Sequence, residues 1–94
     1  MAVRLFVSIK ALPGKGDEYL AEALPNSIAT RSEPGCEQYE YFRSAEDPDS
    51  FILVERWTDE ALWQTHMGVM RARPPRSGPP LTEGGAKLER YDVE

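Results

Sequence analysis

Polar and apolar residues alternate from the start of the chain. In Val3-Arg4-Leu5-Phe6-Val7-Ser8-Ile9-Lys10, the residues Val3, Leu5, Val7 and Ile9 fall on one side of an extended backbone, with Arg4, Ser8 and Lys10 on the other. That period of two predicts a half-buried β-strand. Pro13-Gly14-Lys15-Gly16 then breaks the pattern, and Leu20, Leu24 and Ile28 recur every fourth residue. This spacing predicts a helix, with Asp17 as its cap and a kink or loosened turn near Ala21 to Pro25, where proline removes a backbone hydrogen bond. The helix must stop by Ser32, because Glu33 precedes Pro34 and Gly35 supplies a flexible turn.

Cys36 to Arg43 reads as a second strand, Ser44 to Ser50 as a polar turn, and Phe51 to Trp57 as a third strand rich in β-branched and aromatic residues. A symmetric hairpin pairs Arg43 with Phe51, Tyr41 with Leu53, Tyr39 with Glu55 and Glu37 with Trp57, all on one face; a slip of one residue would overturn that face. Thr58 is the expected cap of a second helix, with Asp59 and Glu60 in its first turn and an apolar stripe of Leu62, His66, Val69 and Met70. Arg71 to Ala86 is rich in proline and glycine, too long and irregular for a mere connector, and suggests a lid. Lys87 to Val93 closes the chain as a fourth strand. The order β-α-β-β-α-β predicts a ferredoxin-like α+β fold in one domain spanning residues 1–94, with an antiparallel four-stranded sheet and two helices on one face.

Charge narrows the partners. Eleven Lys and Arg against sixteen Asp and Glu give a net charge of -5, the wrong sign for a surface that neutralises phosphates, so no nucleic acid is expected. No stretch approaches the ~18 apolar residues of a membrane span, and no charged leader with an apolar stretch precedes the first strand, so a cytoplasmic protein is expected. Cys36 is the only cysteine and His66 the only histidine, which leaves no intrachain disulfide and no all-protein zinc cage. Neither metal nor cofactor is expected.

The residues Glu33-Pro34-Gly35-Cys36, then Tyr39, Glu55-Arg56-Trp57 and His66 form a spaced pattern that resembles the antibiotic biosynthesis monooxygenase family, and Pro13-Gly14-Lys15 fits it too. The resemblance runs from about Val3 to His66 and returns weakly in the last strand, whereas residues 71 to 86 depart from it. It implies a homodimer of the dimeric α/β barrel type, with sheets packed face to face and a pocket in each subunit between sheet and helices. It also implies a range of chemistries, from cofactor-free oxygenation of phenols and quinols to haem degradation, isomerisation or binding alone.

His66 is aimed inward by its place on the apolar stripe; it is the candidate base for a phenolic proton, although a core histidine held by one hydrogen bond would look the same. Glu55 lies mid-strand among apolar neighbours, where a carboxylate needs a partner such as a backbone amide, Tyr39 or Arg31, and where burial raises its pKa. These two are the catalytic candidates. Trp57, Tyr39 and Tyr41 share a face in the hairpin and, with Leu62 and Met70 from the helix stripe, form the expected substrate-binding set, though core packing explains each as well. Arg71, Arg73 and Arg76 stand in the irregular segment, where they either meet an anionic substrate or remain solvated. Nothing marks Cys36 as a reactive thiolate.

The expected function is a cofactor-independent monooxygenase that oxidises a phenolic or quinol-type aromatic small molecule with O2. A non-catalytic small-molecule-binding dimer is the alternative. Haem degradation is the weaker rival, because the resemblance implies an asparagine on strand one and a further histidine, where this chain has Val7 and Ser8 and nothing after His66.

Overall fold

The computed structural model describes residues 1–94. Six elements follow in order: β1 (Ala2–Lys10), α1 (Gly16–Thr30), β2 (Cys36–Arg43), β3 (Ser50–Trp57), α2 (Glu60–Ala72) and β4 (Lys87–Val93). The strands form one antiparallel sheet in the order β2-β3-β1-β4, so the two hairpin strands lie to one side of β1 and the last strand to the other. This is the ferredoxin-like α+β fold, with both helices on one face of the sheet. No helix is long and apolar enough to cross a membrane.

Alternation in β1 and β3 builds the core. Val3 and Leu5 are sealed beneath the helices with Leu53, Trp57, Tyr39 and the α2 residue Trp63, and Val7, Ile9, Cys36, Tyr41 and Met67 pack around them. The opposite residues of the same strands form the other face of the sheet, where Phe6 packs edge-on against Tyr91 and Phe42 is exposed.

The hairpin pairs Arg43 with Phe51, Tyr41 with Leu53 and Tyr39 with Glu55, as the sequence predicts. The fourth expected pair does not form. A bulge between Cys36 and Gln38 brings Cys36 opposite Trp57, and Glu37 turns out to bond Arg56 at 2.7 Å and the Thr58 hydroxyl at 3.2 Å. A bulge inserts one residue into a strand, so it corrects the facing of a single charged side chain without overturning the rest.

Both helices are rotated from the stripes read in sequence. On α1, Leu24 is exposed and Ile28 is 59% exposed, while Gly16, Ser27 and Thr30 are buried. The cause lies at the start of the helix, where a Cβ on Gly16 would stand 2.2 Å from the Pro48 carbonyl oxygen, so only glycine can face that turn. Asp17 is not the cap. Asp49, from the β2–β3 turn, accepts from the backbone N–H groups of Gly14 and Gly16 at 2.9 Å each and supplies the acceptor a cap residue would give, while Asp17 pairs with Arg43 at 2.8 Å. Pro25 is held within one continuous helix, on its exposed side. On α2, Asp59 rather than Thr58 caps the helix by accepting from the Leu62 N–H at 2.9 Å. The buried face there is Trp63 and His66, with Val69 and Met70 largely exposed. Large aromatic rings bury more apolar area than a valine or methionine, and that decides the rotation.

The helix α2 runs to Ala72, two residues past the expected boundary, and residues 73–86 then cross back over α1 as a strap. Arg76 bonds Glu22 at 2.8 Å and meets Glu18 at 3.5 Å, both on α1. Further on, Leu81 is buried, and backbone bonds from Leu12 to Leu81 and from Glu83 to Lys10 tie the strap to the end of β1. At the outer edge of the sheet, the Tyr39 carbonyl of β2 accepts from Arg31 Nε at 2.9 Å and from the Ser27 hydroxyl at 3.4 Å.

Candidate active site

Between α1, the strand β2 and the strap lies a cavity of about 390 Å³. Tyr39 and Tyr41 line it from the sheet, Tyr19, Asn26 and Ser27 from α1, Met70 from the end of α2, and Arg73, Arg76, Leu81 and Thr82 from the strap. The tyrosines make its character. Tyr19 and Tyr41 meet edge-to-face at 6.0 Å between ring centres with their hydroxyls 3.2 Å apart. Burial raises the pKa of all three phenols, and for Tyr19 and Tyr39 neighbouring phenols or carboxylates add to it, so each keeps its proton.

Behind Tyr39 sits a buried polar cluster. The His66 ring stacks on Trp57 with centres 4.6 Å apart and meets Tyr39 edge-on at 5.4 Å. Trp57 donates its indole N–H to Glu55 at 3.0 Å, and His66 Nδ1 lies 3.0 Å from Glu33 Oε1. Burial raises the Glu55 pKa against the opposing pull of the indole hydrogen bond and the nearby imidazole. The expected partners of Glu55 were Tyr39, Arg31 or an amide; the indole takes that place because the two side chains are alternate residues on one face of β3.

Three residues of this cluster are almost wholly enclosed: Tyr39 is 4% exposed, Glu55 5% and His66 2%. The Tyr39 hydroxyl, the second Glu55 oxygen and His66 Nε2 make no hydrogen bond within the protein, yet no fully buried side-chain nitrogen or oxygen lacks a partner. Each of these atoms therefore touches space that a water-sized group can enter. Tyr39 is also a lining residue of the cavity.

Of the residues singled out in sequence, Tyr39, Tyr41 and Met70 line the cavity together with Arg73 and Arg76. Trp57 is fully enclosed in the core, and Leu62 packs over Gly35. His66 and Glu55 stand behind Tyr39 rather than at the wall. Arg71 is not among the cavity residues. Sequence reasoning passed over Tyr19, Asn26, Ser27 and Thr82; the first three share one face of α1 at helical spacing, which the leucine stripe obscured.

The model of the antibiotic biosynthesis monooxygenase family matches residues 2–69. The chain belongs to that family. YcnE of Bacillus subtilis, provisionally named a monooxygenase, is 36% identical over 58 residues, covering 62% of this chain and 61% of that protein. An uncharacterized protein of Synechocystis is 32% identical over 59 residues, covering 63% of this chain and 40% of its own length. The alignments thus span about three fifths or less of these relatives. Among solved structures, PA3566 from Pseudomonas aeruginosa superposes with a TM-score of 0.82 at 23% identity, over 99% of this chain and 95% of its own. A Deinococcus radiodurans protein provisionally named an antibiotic biosynthesis monooxygenase gives 0.73 at 19% identity, over 100% and 93%. Likeness at these identities concerns the fold. The family match ends at residue 69, so the antibiotic biosynthesis monooxygenase pattern covers Tyr39, Tyr41, Glu55, Trp57 and His66 but not the strap that supplies Arg73, Arg76, Leu81 and Thr82.

Proposed function

We propose that this protein is a monooxygenase that oxidises a phenolic or quinol-type aromatic small molecule with O2, without a bound cofactor, as a homodimer. The observation that carries the reading is Tyr39, which lines the cavity and whose hydroxyl has no partner within the protein, with the ring of the chain's one histidine packed against the Tyr39 ring. Tyr19, Tyr39 and Tyr41 suit a flat aromatic guest, which gains edge-to-face contacts and finds phenolic donors for its oxygens. Their raised pKa values keep them from taking the substrate's proton. Deprotonation falls to His66, over one intervening hydroxyl or water, with Glu55 as the second candidate.

The ionised ring then gives an electron to O2, and the radical pair joins and loses water. An activated ring CH2 becomes C=O, or a quinol C–H becomes a hydroxyquinone; one oxygen atom enters the product, the other leaves as H2O, and the substrate supplies all four electrons.

The test is a panel of anthrones, naphthoquinols and benzene diols incubated with purified protein under ¹⁸O2. Oxygen uptake with one labelled atom in the product is expected, and His66→Ala should lower turnover by ~10² to 10⁴-fold, as for a lost general base. Tight binding of aromatic compounds with no turnover would replace the enzyme with a binding dimer. A haem spectrum on adding haemin would move the reading to haem chemistry.

A further inference from the structure

We infer that Glu33 is a positioning residue for His66: it holds the ring through Nδ1–H and so leaves Nε2 as the bare nitrogen available to accept a proton. The inference rests on the reading of His66 as the base, and the first half of its test does not depend on any substrate.

Contact geometry comes first. Glu33 Oε1 lies 3.0 Å from His66 Nδ1, and the two side chains are 18% and 2% exposed. A carboxylate only accepts hydrogen bonds, so the proton in this contact belongs to Nδ1, and neutral imidazole carries one N–H only. Nε2 therefore has a free lone pair. It has no partner in the protein and is not sealed from water-sized groups. A half-turn about Cβ–Cγ would keep the ring plane on Trp57 but carry Nδ1 away from Glu33, so the bond to Glu33 is what selects the ring's orientation.

The local sequence builds the contact. Pro34 holds Glu33 out of helical geometry at the end of α1, and Gly35 turns the chain at a φ of 82°. A Cβ at Gly35 would stand 2.5 Å from Leu62 Cδ1, so glycine lets α2 close onto this turn, one helical turn ahead of His66. The Gly35 carbonyl accepts from the Thr58 N–H at 2.9 Å and fixes the entry to α2. On its other side, Glu33 Oε2 stands 3.9 Å from Arg73 Nη2, and Arg73 lines the cavity. The charged and titratable groups around the His66–Glu33 pair are thus Cys36 and Tyr39 from β2, Glu55 from β3 and Arg73 at the start of the strap. Glu33 alone bonds the ring.

With a single histidine, the ¹⁵N spectrum needs no assignment. At alkaline pH, the parent protein should show a protonated Nδ1 and a bare Nε2, and Glu33→Leu should lose that preference. A parent spectrum with the proton on Nε2 overturns the inference, as does a folded Glu33→Leu variant with the parent spectrum; if the variant does not fold, the parent spectrum alone decides. On any aromatic the parent oxidises, Glu33→Leu should lower kcat roughly tenfold or more with KM unchanged, as for a misoriented base. If no aromatic is oxidised while the tautomer is as expected, the oxygenase reading fails and the Glu33 assignment stands.

Discussion

The imidazole of His66 lies on the indole of Trp57, 28° from parallel, while the same indole donates to Glu55 on its other flank. One enclosed tryptophan thereby sets the place of both titratable candidates. A merely apolar side chain there would pack against His66 but leave Glu55 without its donor.

Replacing Trp57 should therefore be costly in two separable steps. Trp57→Ala is expected to lose ~3 to 5 kcal/mol through the cavity it opens. Trp57→Phe keeps most of the volume but strands a buried carboxylate, at roughly 1 to 3 kcal/mol. Denaturant unfolding of the two variants measures both, and an unchanged midpoint in Trp57→Ala would contradict the enclosed position.

Glu55→Gln should raise stability, and the gain should depend on pH. Because the folded pKa of Glu55 lies above the ordinary carboxylate value, the folded state binds its proton more tightly than the unfolded chain, and stability is lost as pH rises between those two values. Gln still accepts the indole N–H but carries no charge. Its melting temperature should exceed the parent's at neutral pH, and the difference should vanish below the ordinary carboxylate range. A constant difference across that range would show that burial does not set the Glu55 pKa.

The start of α1 offers a packing test. Gly16→Ala puts a Cβ 2.2 Å from a backbone carbonyl that cannot swing away, and ~1 to 3 kcal/mol of destabilisation is expected. Asp49→Ala, which removes the acceptor for the Gly14 and Gly16 N–H groups, should cost about 1 kcal/mol. Both are read from thermal melts; Asp17→Ala, at an exposed ion pair, should differ little from the parent.

The face of the sheet away from the helices carries Phe6, Phe42, Ile52, Val54 and Tyr91, with Phe42 and Tyr91 exposed. Such a face calls for a partner, and a second copy of this chain is the expected one. Light scattering should give twice the chain mass at micromolar concentration, and Val54→Asp, in the middle strands of that face, should give the monomer. A monomeric parent would remove the dimer from the reading.

Strand alternation was legible because it depends on neighbours two residues apart: three of the four hairpin pairs and the inward Val3, Leu5 and Leu53 followed from it. Helix rotation was not. Leu24 and Ile28 suggested one face of α1, but Gly16 facing a carbonyl from the β2–β3 turn settled another, and that contact joins residues 32 positions apart in sequence. Tyr19 was missed for the same reason. The site divided along similar lines: Tyr39, Tyr41 and His66 stood out as residue types, whereas the pairing of His66 with Glu33 and of Glu55 with Trp57 depends on how α2 and β3 are packed. The cavity wall contributed by the strap carried only a composition signal, its arginines and prolines, and no periodicity to orient them.

The bonds from Arg31 and Ser27 to the Tyr39 carbonyl have a consequence for life at high concentration. β2 borders the sheet, and a border strand invites another chain to continue the ladder. At Tyr39 the acceptor such an intruder would seek is already taken, by side chains from α1 and the residue just after it. The opposite border, β4, carries Lys87, Glu89, Arg90 and Asp92, whose charges make stacking with a like strand unfavourable. Growth into fibrils is thus discouraged at both rims, and association is left to the broad face between them.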